Sequence, residues 1–195
     1  MAYLINRLKQ SLAQKGLQPR TDLARVWLQQ KMLTLKPSRG KMMEERSRLR
    51  GVRNESYIGK MYFYFYDPKT KDIMEYYDKF PLVIPIEEHT DGFLGLNLHY
   101  IHPKQRLILL DKLGDIATNR NFDEATKFRV SYNFLKNAKQ MYEHKPCLKK
   151  YLYTHIKSKF LNIEASEWDI AALLPVENFQ KAHKTQVFQD SEDKF

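Results

Sequence analysis

Lys60-Met61-Tyr62-Phe63-Tyr64-Phe65-Tyr66 is the stretch on which the fold turns. Its unbroken run of aromatics suits a pleated strand and fits no amphipathic helix. Strand alternation puts Met61, Phe63 and Phe65 on one face and Tyr62, Tyr64 and Tyr66 on the other. The Phe face reads as core. The Tyr face is apolar with polar tips, and three readings suit it. A second layer of this chain covers it, the N-terminal helices foremost. Another subunit buries it as an aromatic interface. Or it is a base-stacking platform, although Gly59-Lys60-Met61-Tyr62-Phe63 carries little of that wider signature.

Downstream, Asp67-Pro68-Lys69-Thr70-Lys71-Asp72 is turn chemistry, and Ile73 to Tyr77 reads as the return strand of a hairpin. Leu82 to Ile86 is a third strand. Pro81 and Pro85 bracket it and suit an edge or bulged position. Asp91-Gly92 turns the chain into a fourth strand, Phe93 to Tyr100. After Pro103 the pattern is helical. Leu107, Leu110 and Leu113 form a stripe ending at Gly114. Asp123 caps a longer helix bearing Phe128, Ser131, Tyr132, Leu135, Ala138 and Tyr142. Pro146 opens another, with Leu148, Tyr151, Leu152 and Ile156 on its stripe. A last short helix starts at Ser166-Glu167-Trp168-Asp169 and is closed by Pro175. Four strands followed by four helices define an α+β class, an antiparallel four-stranded sheet followed by a helical layer.

Upstream, the charge is lopsided. Residues 1–60 hold 14 Lys and Arg against 4 Asp and Glu, and residues 61–195 hold 19 of each. The aromatics reverse this, since only Tyr3 and Trp27 precede Tyr57. The expectation is a basic N-terminal arm over residues 1–56, an α+β body over 57–181 and a polar tail over 182–195. Leu4, Ile5, Leu8 and Leu12 predict one amphipathic helix, stopped near Gly16. A second opens at Thr21 or Asp22, carries Leu23, Val26, Trp27, Gln30 and Leu33 on one face, and ends before Pro37. Each is too short to be stable alone and must dock. The reading is that the arm lies extended over a partner. Within residues 36–53, Arg39, Lys41, Arg46, Arg48, Arg50 and Arg53 crowd into one strap. The strap is either a solvated linker or a contact for phosphate or an acidic protein surface.

At 195 residues and 43% hydrophobic, the chain has enough apolar surface for one real core. The lone cysteine, Cys147, rules out an internal disulfide framework and fits a reducing compartment. No run approaches the ~20 apolar residues of a membrane span, and the opening Met1-Ala2-Tyr3-Leu4-Ile5-Asn6-Arg7 does not read as a signal peptide.

Nothing in the pattern argues for catalysis, a metal, a cofactor or a small-molecule substrate. His89, His99, His102, His144, His155 and His183 lack repeated zinc-type spacing, although His99 and His102 lie near Glu87, Glu88 and Asp91. A metal-dependent nuclease needs clustered carboxylates beside a basic groove. Glu143-His144-Lys145 has no partner acid, and Asp111 and Asp115 are one helical turn apart on what reads as a solvated face. Cys147 has no motif around it, and no phosphate-binding glycine loop occurs.

The block from Gly59 to Asp72 combines with Tyr76-Tyr77-Asp78-Lys79-Phe80-Pro81-Leu82-Val83-Ile84-Pro85-Ile86 and with Asp91-Gly92-Phe93-Leu94-Gly95-Leu96-Asn97-Leu98-His99-Tyr100. Together they resemble a family of small virion proteins of T4-like contractile-tailed phages. Tyr153-Thr154-His155-Ile156-Lys157-Ser158 and Glu167-Trp168-Asp169-Ile170-Ala171 resemble later parts of it, so the likeness spans about residues 57–188. The resemblance implies a virion component made in the host cytoplasm and no enzyme residues. Its first reading is a structural protein whose basic arm clamps neighbouring tail or baseplate subunits. The alternative is a head–neck DNA end protector that binds the genome end non-specifically, with double-stranded DNA on the arm.

Overall fold

The computed structural model describes residues 2–43, 49–51, 58–118 and 146–192. The class is α+β, as expected, but the sheet has six strands among the described residues rather than four. In chain order the elements begin with helices α1 (Ala2–Gln14), α2 (Asp22–Thr34) and α3 (Arg39–Met42). Strands β1 (Leu49–Arg50), β2 (Met61–Phe63), β3 (Tyr77–Asp78), β4 (Leu82–His89) and β5 (Gly92–Asn97) follow, then helix α4 (Pro103–Thr118). The chain ends with β6 (Leu148–Leu152), β7 (Phe160–Ile163), α5 (Trp168–Leu173), β8 (Phe179–Gln180) and α6 (Lys184–Glu192). The main sheet runs β1-β7-β2-β4-β5-β6, and β3 pairs with β8 apart from it. Every pairing is antiparallel.

Several expectations are corrected. The return strand at Ile73–Tyr77 does not pair with β2, because residues 69–73 form turns with Ile73 exposed, and Tyr77–Asp78 pairs with Phe179–Gln180 instead. Strand β4 is interior, between β2 and β5, and tolerates Pro85 because the register slips between Pro85 and Glu87. The helix expected from Pro146 is strand β6. Leu148, Tyr151 and Leu152 fit a helical stripe. In so short a run the free edge of β5 decides, pairing Leu96 with Leu148 through Gly92 with Leu152. Gly92 permits this approach, since a Cβ there would collide with the Tyr151 carbonyl. Helix α4 runs through Gly114 to Thr118. The helix expected from Asp123 to Tyr142 lies outside the described residues.

Period-two alternation splits the sheet residues between two cores. Met61, Phe63, Leu82, Ile84, Leu96, Leu161 and Ile163 face the helices and join the larger core. Ile5, Leu8 and Leu12 of α1 and Ala24, Leu28 and Met32 of α2 are buried in that same core. The expectation that these two helices lie extended over a partner is therefore corrected. They cover the body of their own chain, because stripes that cannot stand alone in water find the α4–α5 layer first. The expected docking face of α2 is corrected too. Leu23 and Leu33 are 73% and 87% exposed, while the opposite Ala24-Leu28-Met32 stripe is buried. Arg25 decides that orientation. It donates to Asp111 of α4 at 2.8 Å and to Asp169 of α5 at 2.9 Å, which ties α2 to both helices. The polar C-terminal segment also docks, with Val187 and Ser191 of α6 buried.

A buried polar hub joins these layers. Arg106 of α4 is 1% exposed and donates to the carbonyls of Ile101 (2.6 Å), Ala172 (2.8 Å) and His99 (3.1 Å). Burial pushes its pKa down to about 10, so the cation survives at neutral pH. Beside it the Asp78 carboxylate lies 2.7 Å from His99 Nδ1 and accepts from the backbone N–H of Phe80 and of Asn178, each at 3.0 Å. Burial alone would raise the Asp78 pKa. The His99 ring and the two N–H donors outweigh it, and the net shift is downward.

A folded-state pKa below the unfolded value gives stability that is present above the ordinary Asp range and lost as pH falls through the folded value. Urea unfolding at pH 7 and at about pH 3 should therefore show a smaller pH dependence for Asp78→Asn than for wild type, with lower stability at pH 7. An unchanged acid limb would show that Asp78 does not carry this linkage.

Candidate nucleic-acid interface

The three strap cations among the described residues, Arg39, Lys41 and Arg50, do not share one role. Arg39 is an internal clamp: Nε donates to the Val176 carbonyl at 2.7 Å and Nη2 to the Glu177 carbonyl at 2.6 Å. These bonds fix the start of α3, where the Ser38 hydroxyl caps the Lys41 N–H, onto the segment between α5 and β8. Lys41 is exposed. Arg50 is exposed on β1, an outer strand of the main sheet, where it pairs with Phe160. Arg46, Arg48 and Arg53 lie outside the described residues. Lys157 and Lys159 are also exposed, just before the β7 residue that pairs with Arg50, whereas the exposed Lys60 precedes Met61 at the other end of β7, where Met61 pairs with Ile163. The strap was legible as a run of charge. That the body adds its own lysines nearby was not, because the pairing of β7 with both β1 and β2 is long-range.

The Tyr face is placed inside the molecule. Tyr62, Tyr64 and Tyr66 are 4%, 0% and 6% exposed and form a second core with Val83, Phe93, Tyr151 and Phe160. Strands three apart in a flat sheet are separated by about 14 Å. Yet the Phe93 and Phe160 rings, on β5 and β7, are 6.0 Å apart, and Tyr64 at the end of β2 lies 5.7 Å from Tyr151 on β6. The sheet curls until its aromatic face closes on itself. The end of β2 is sewn to the β6–β7 connection, with Lys157 N–H donating to the Phe65 carbonyl, Asp67 N–H to the His155 carbonyl, and Leu152 N–H to the Tyr66 hydroxyl. The reading of this face as an interface for another subunit is corrected, as is the expectation that N-terminal helices cover it. Its cover is the curl of the sheet, with Ile58, Tyr153 and Ile156 at the rim.

The residues weighed for metal or nucleophilic chemistry are dispersed. Asp111 is taken up by Arg25 and Arg20, His99 is sealed against Asp78, and Cys147 is buried. Glu143, His144 and Lys145 lie outside the described residues. Among the described residues no three His, Cys, Asp or Glu side chains gather as a metal-binding group, and no helix is long and apolar enough to cross a membrane.

Fold and sequence together define a small basic α+β protein. The profile of the family described as Phage T4 terminal DNA protecting protein matches residues 4–191, nearly the whole chain, and the chain belongs to that family. The match takes in the basic N-terminal segment as well as the block recognised from residue 57 onward. No curated protein and no solved structure matches the chain.

The Tyr64 hydroxyl is buried without a hydrogen-bond partner, and burial holds its pKa well above the usual phenol value. Tyr64→Phe removes that stranded hydroxyl and should raise stability by up to about 1 kcal/mol. Tyr64→Asp buries an unpaired charge and should cost about 3 kcal/mol or more, unfolding a marginal monomer. Thermal melts of both isolated variants check this. An unchanged melt for Tyr64→Asp would return the face to solvent or to a partner.

Proposed function

We propose that this protein binds the ends of the phage's linear double-stranded DNA and shields them by occupancy, without performing chemistry on them. The observation that supports this reading most is the coincidence of two facts: membership of the terminal DNA protecting family, and a net charge of +10 held entirely within the first 60 residues. Phosphate neutralisation by such cations is sequence-independent, which suits a protector that meets whatever sequence the end carries. The tail or baseplate clamp read first from the sequence gives way to its alternative. The geometry refines the contact set. Arg39 is spent on carbonyls of its own chain, so Lys41, Arg46, Arg48, Arg50 and Arg53 are the candidate phosphate ligands, and Lys159 adds a cation beside Arg50 in the sheet. On this reading the protein travels in the virion after synthesis in the host cytoplasm.

A second reading adds to the first. Leu23, Val26 and Leu33 are exposed along α2, 73%, 52% and 87% respectively, and this stripe supports a neighbouring virion protein as an additional partner. Leu33→Glu should leave the melt of the isolated protein unchanged and reduce its retention in assembled particles. Normal retention would remove that partner from the reading.

If about five strap cations meet phosphates, log K should fall against log salt with a slope of about −4.5. Replacing Lys41, Arg46, Arg48, Arg50 and Arg53 by Gln should remove most of that slope, whereas Arg39→Gln should lower stability more than affinity. Linear duplex should resist an added exonuclease in proportion to bound protein, and a covalently closed circle of the same sequence should compete poorly. Equal competition by circles would defeat the end-binding reading.

A further inference from the structure

At the β6 edge of the main sheet, opposite β1 in strand order, lies a cavity of about 210 Å³. Four tyrosines line it, Tyr66, Tyr77, Tyr100 and Tyr151. Lys69, Lys149 and Lys150 stand around it, and Lys149 Nζ lies 4.9 Å from the centre of the Tyr100 ring. At the base, Asn97 is 1% exposed. Its Oδ1 accepts from His99 N–H, while its Nδ2 closes no hydrogen bond, with the Tyr151 hydroxyl as its neighbour.

The wall is held in place before any ligand arrives. Lys181 Nζ donates to the carbonyls of Lys71, Asp72 and Met74 at 2.8, 2.9 and 3.0 Å and so pins the turn that forms one side. Lys71 pairs with Asp67 at 3.0 Å, and His155 Nδ1 lies 2.8 Å from the Asp67 carbonyl. This combination has a specific chemistry. Tyrosine faces stack on bases, a buried amide N–H₂ donates to a base carbonyl or ring nitrogen, and lysines at the mouth receive phosphate. The volume is smaller than a drug-sized pocket and far smaller than a duplex requires, so the guest is one residue of a polymer or a molecule of that size.

We propose that this cavity takes up a single unpaired nucleotide at a DNA end, its base against the tyrosine wall and the Asn97 amide, its phosphate at Lys69 and Lys149. The proposal rests on the DNA-end reading above and adds to it a means of telling an end from the interior of a duplex. A base displaced from its stack can enter such a cavity at low cost only where it is already unpaired. The Lys149 ammonium, which lies over the Tyr100 ring, would move to the phosphate as the base arrives.

The test uses the full chain and duplexes with a short overhang, of either polarity, carrying 2-aminopurine at the terminal overhang position or at an internal paired position. Protein should quench the terminal probe and leave the internal one unchanged. Lys69→Glu and Lys149→Glu, alone and combined, should abolish the terminal quench. The combined variant should lose the preference for overhang over blunt duplex by about tenfold, while blunt-duplex affinity stays within about twofold. Lys69 is exposed, so its variant should melt as wild type does and serves as the control for folding. Normal duplex binding with no change at the terminal base, or a quench that survives both substitutions, would overturn the cavity assignment alone. Absence of binding to any duplex would overturn the DNA-end reading as well. A free deoxynucleoside monophosphate that competes as strongly as the overhang would assign the cavity to mononucleotides and overturn the DNA-end assignment.

Discussion

The structure depends most on one buried cation. Arg106 spends its guanidinium on three backbone carbonyls, those of His99 and Ile101 just past β5 and of Ala172 in α5. A planar fork of fixed donors can satisfy three acceptors from two elements at once, which lysine's single ammonium cannot do with the same geometry. Charge balance comes from further off, from Glu177 first and then Asp78. Without this hub, the turn leaving the sheet and α5 would bury unpaired carbonyls. Since α1 and α2 dock on the α4–α5 layer, the N-terminal third inherits its position from the same contact.

The two faces of the sheet use different means to exclude water. The helical face is conventional, with aliphatic side chains from five helices packed on Met61, Phe63, Leu82 and Ile84. Among the described residues no helix covers the other face, and the curvature of the sheet hides its aromatics. Rings suit this because they are large and reach across strands, and edge-to-face contacts such as Tyr64 with Tyr151 and Tyr66 with Tyr151 need no close backbone approach. The same curl presents Tyr66 and Tyr151 to the cavity at the β6 edge, so one aromatic cluster serves both the fold and the proposed nucleotide site.

The charge asymmetry then acquires a spatial meaning. Cations of the N-terminal third divide into structural and surface roles: Arg25 of α2 and Arg39 of the strap hold elements of the chain together, while Lys41 and Arg50 of the strap remain at the surface. Exposed Arg50 on β1 and a lysine-rimmed aromatic cavity beside β6 stand at opposite ends of the strand order. On the proposed function the first meets duplex backbone and the second an unpaired residue, the two chemical features of a DNA terminus.

Sequence alone determined the α+β class, helices α1 and α2 with their stops, the strand at Met61–Phe63, the bulged strand at Pro85, the turn at Asp91-Gly92 and the short helix closed by Pro175. Each rests on local chemistry: side-chain period, glycine, proline and caps. Tertiary structure decided the rest. It chose the Ala24-Leu28-Met32 face of α2 over the Leu23-Val26-Leu33 face through one arginine with two carboxylate partners far along the chain. It made a strand of Leu148–Leu152 because β5 offered a free edge, and it turned the tyrosines of β2 inward by curling the sheet. In each case local chemistry allowed two readings, and a partner nearly 90 or more residues away in sequence, or a neighbouring strand, decided between them.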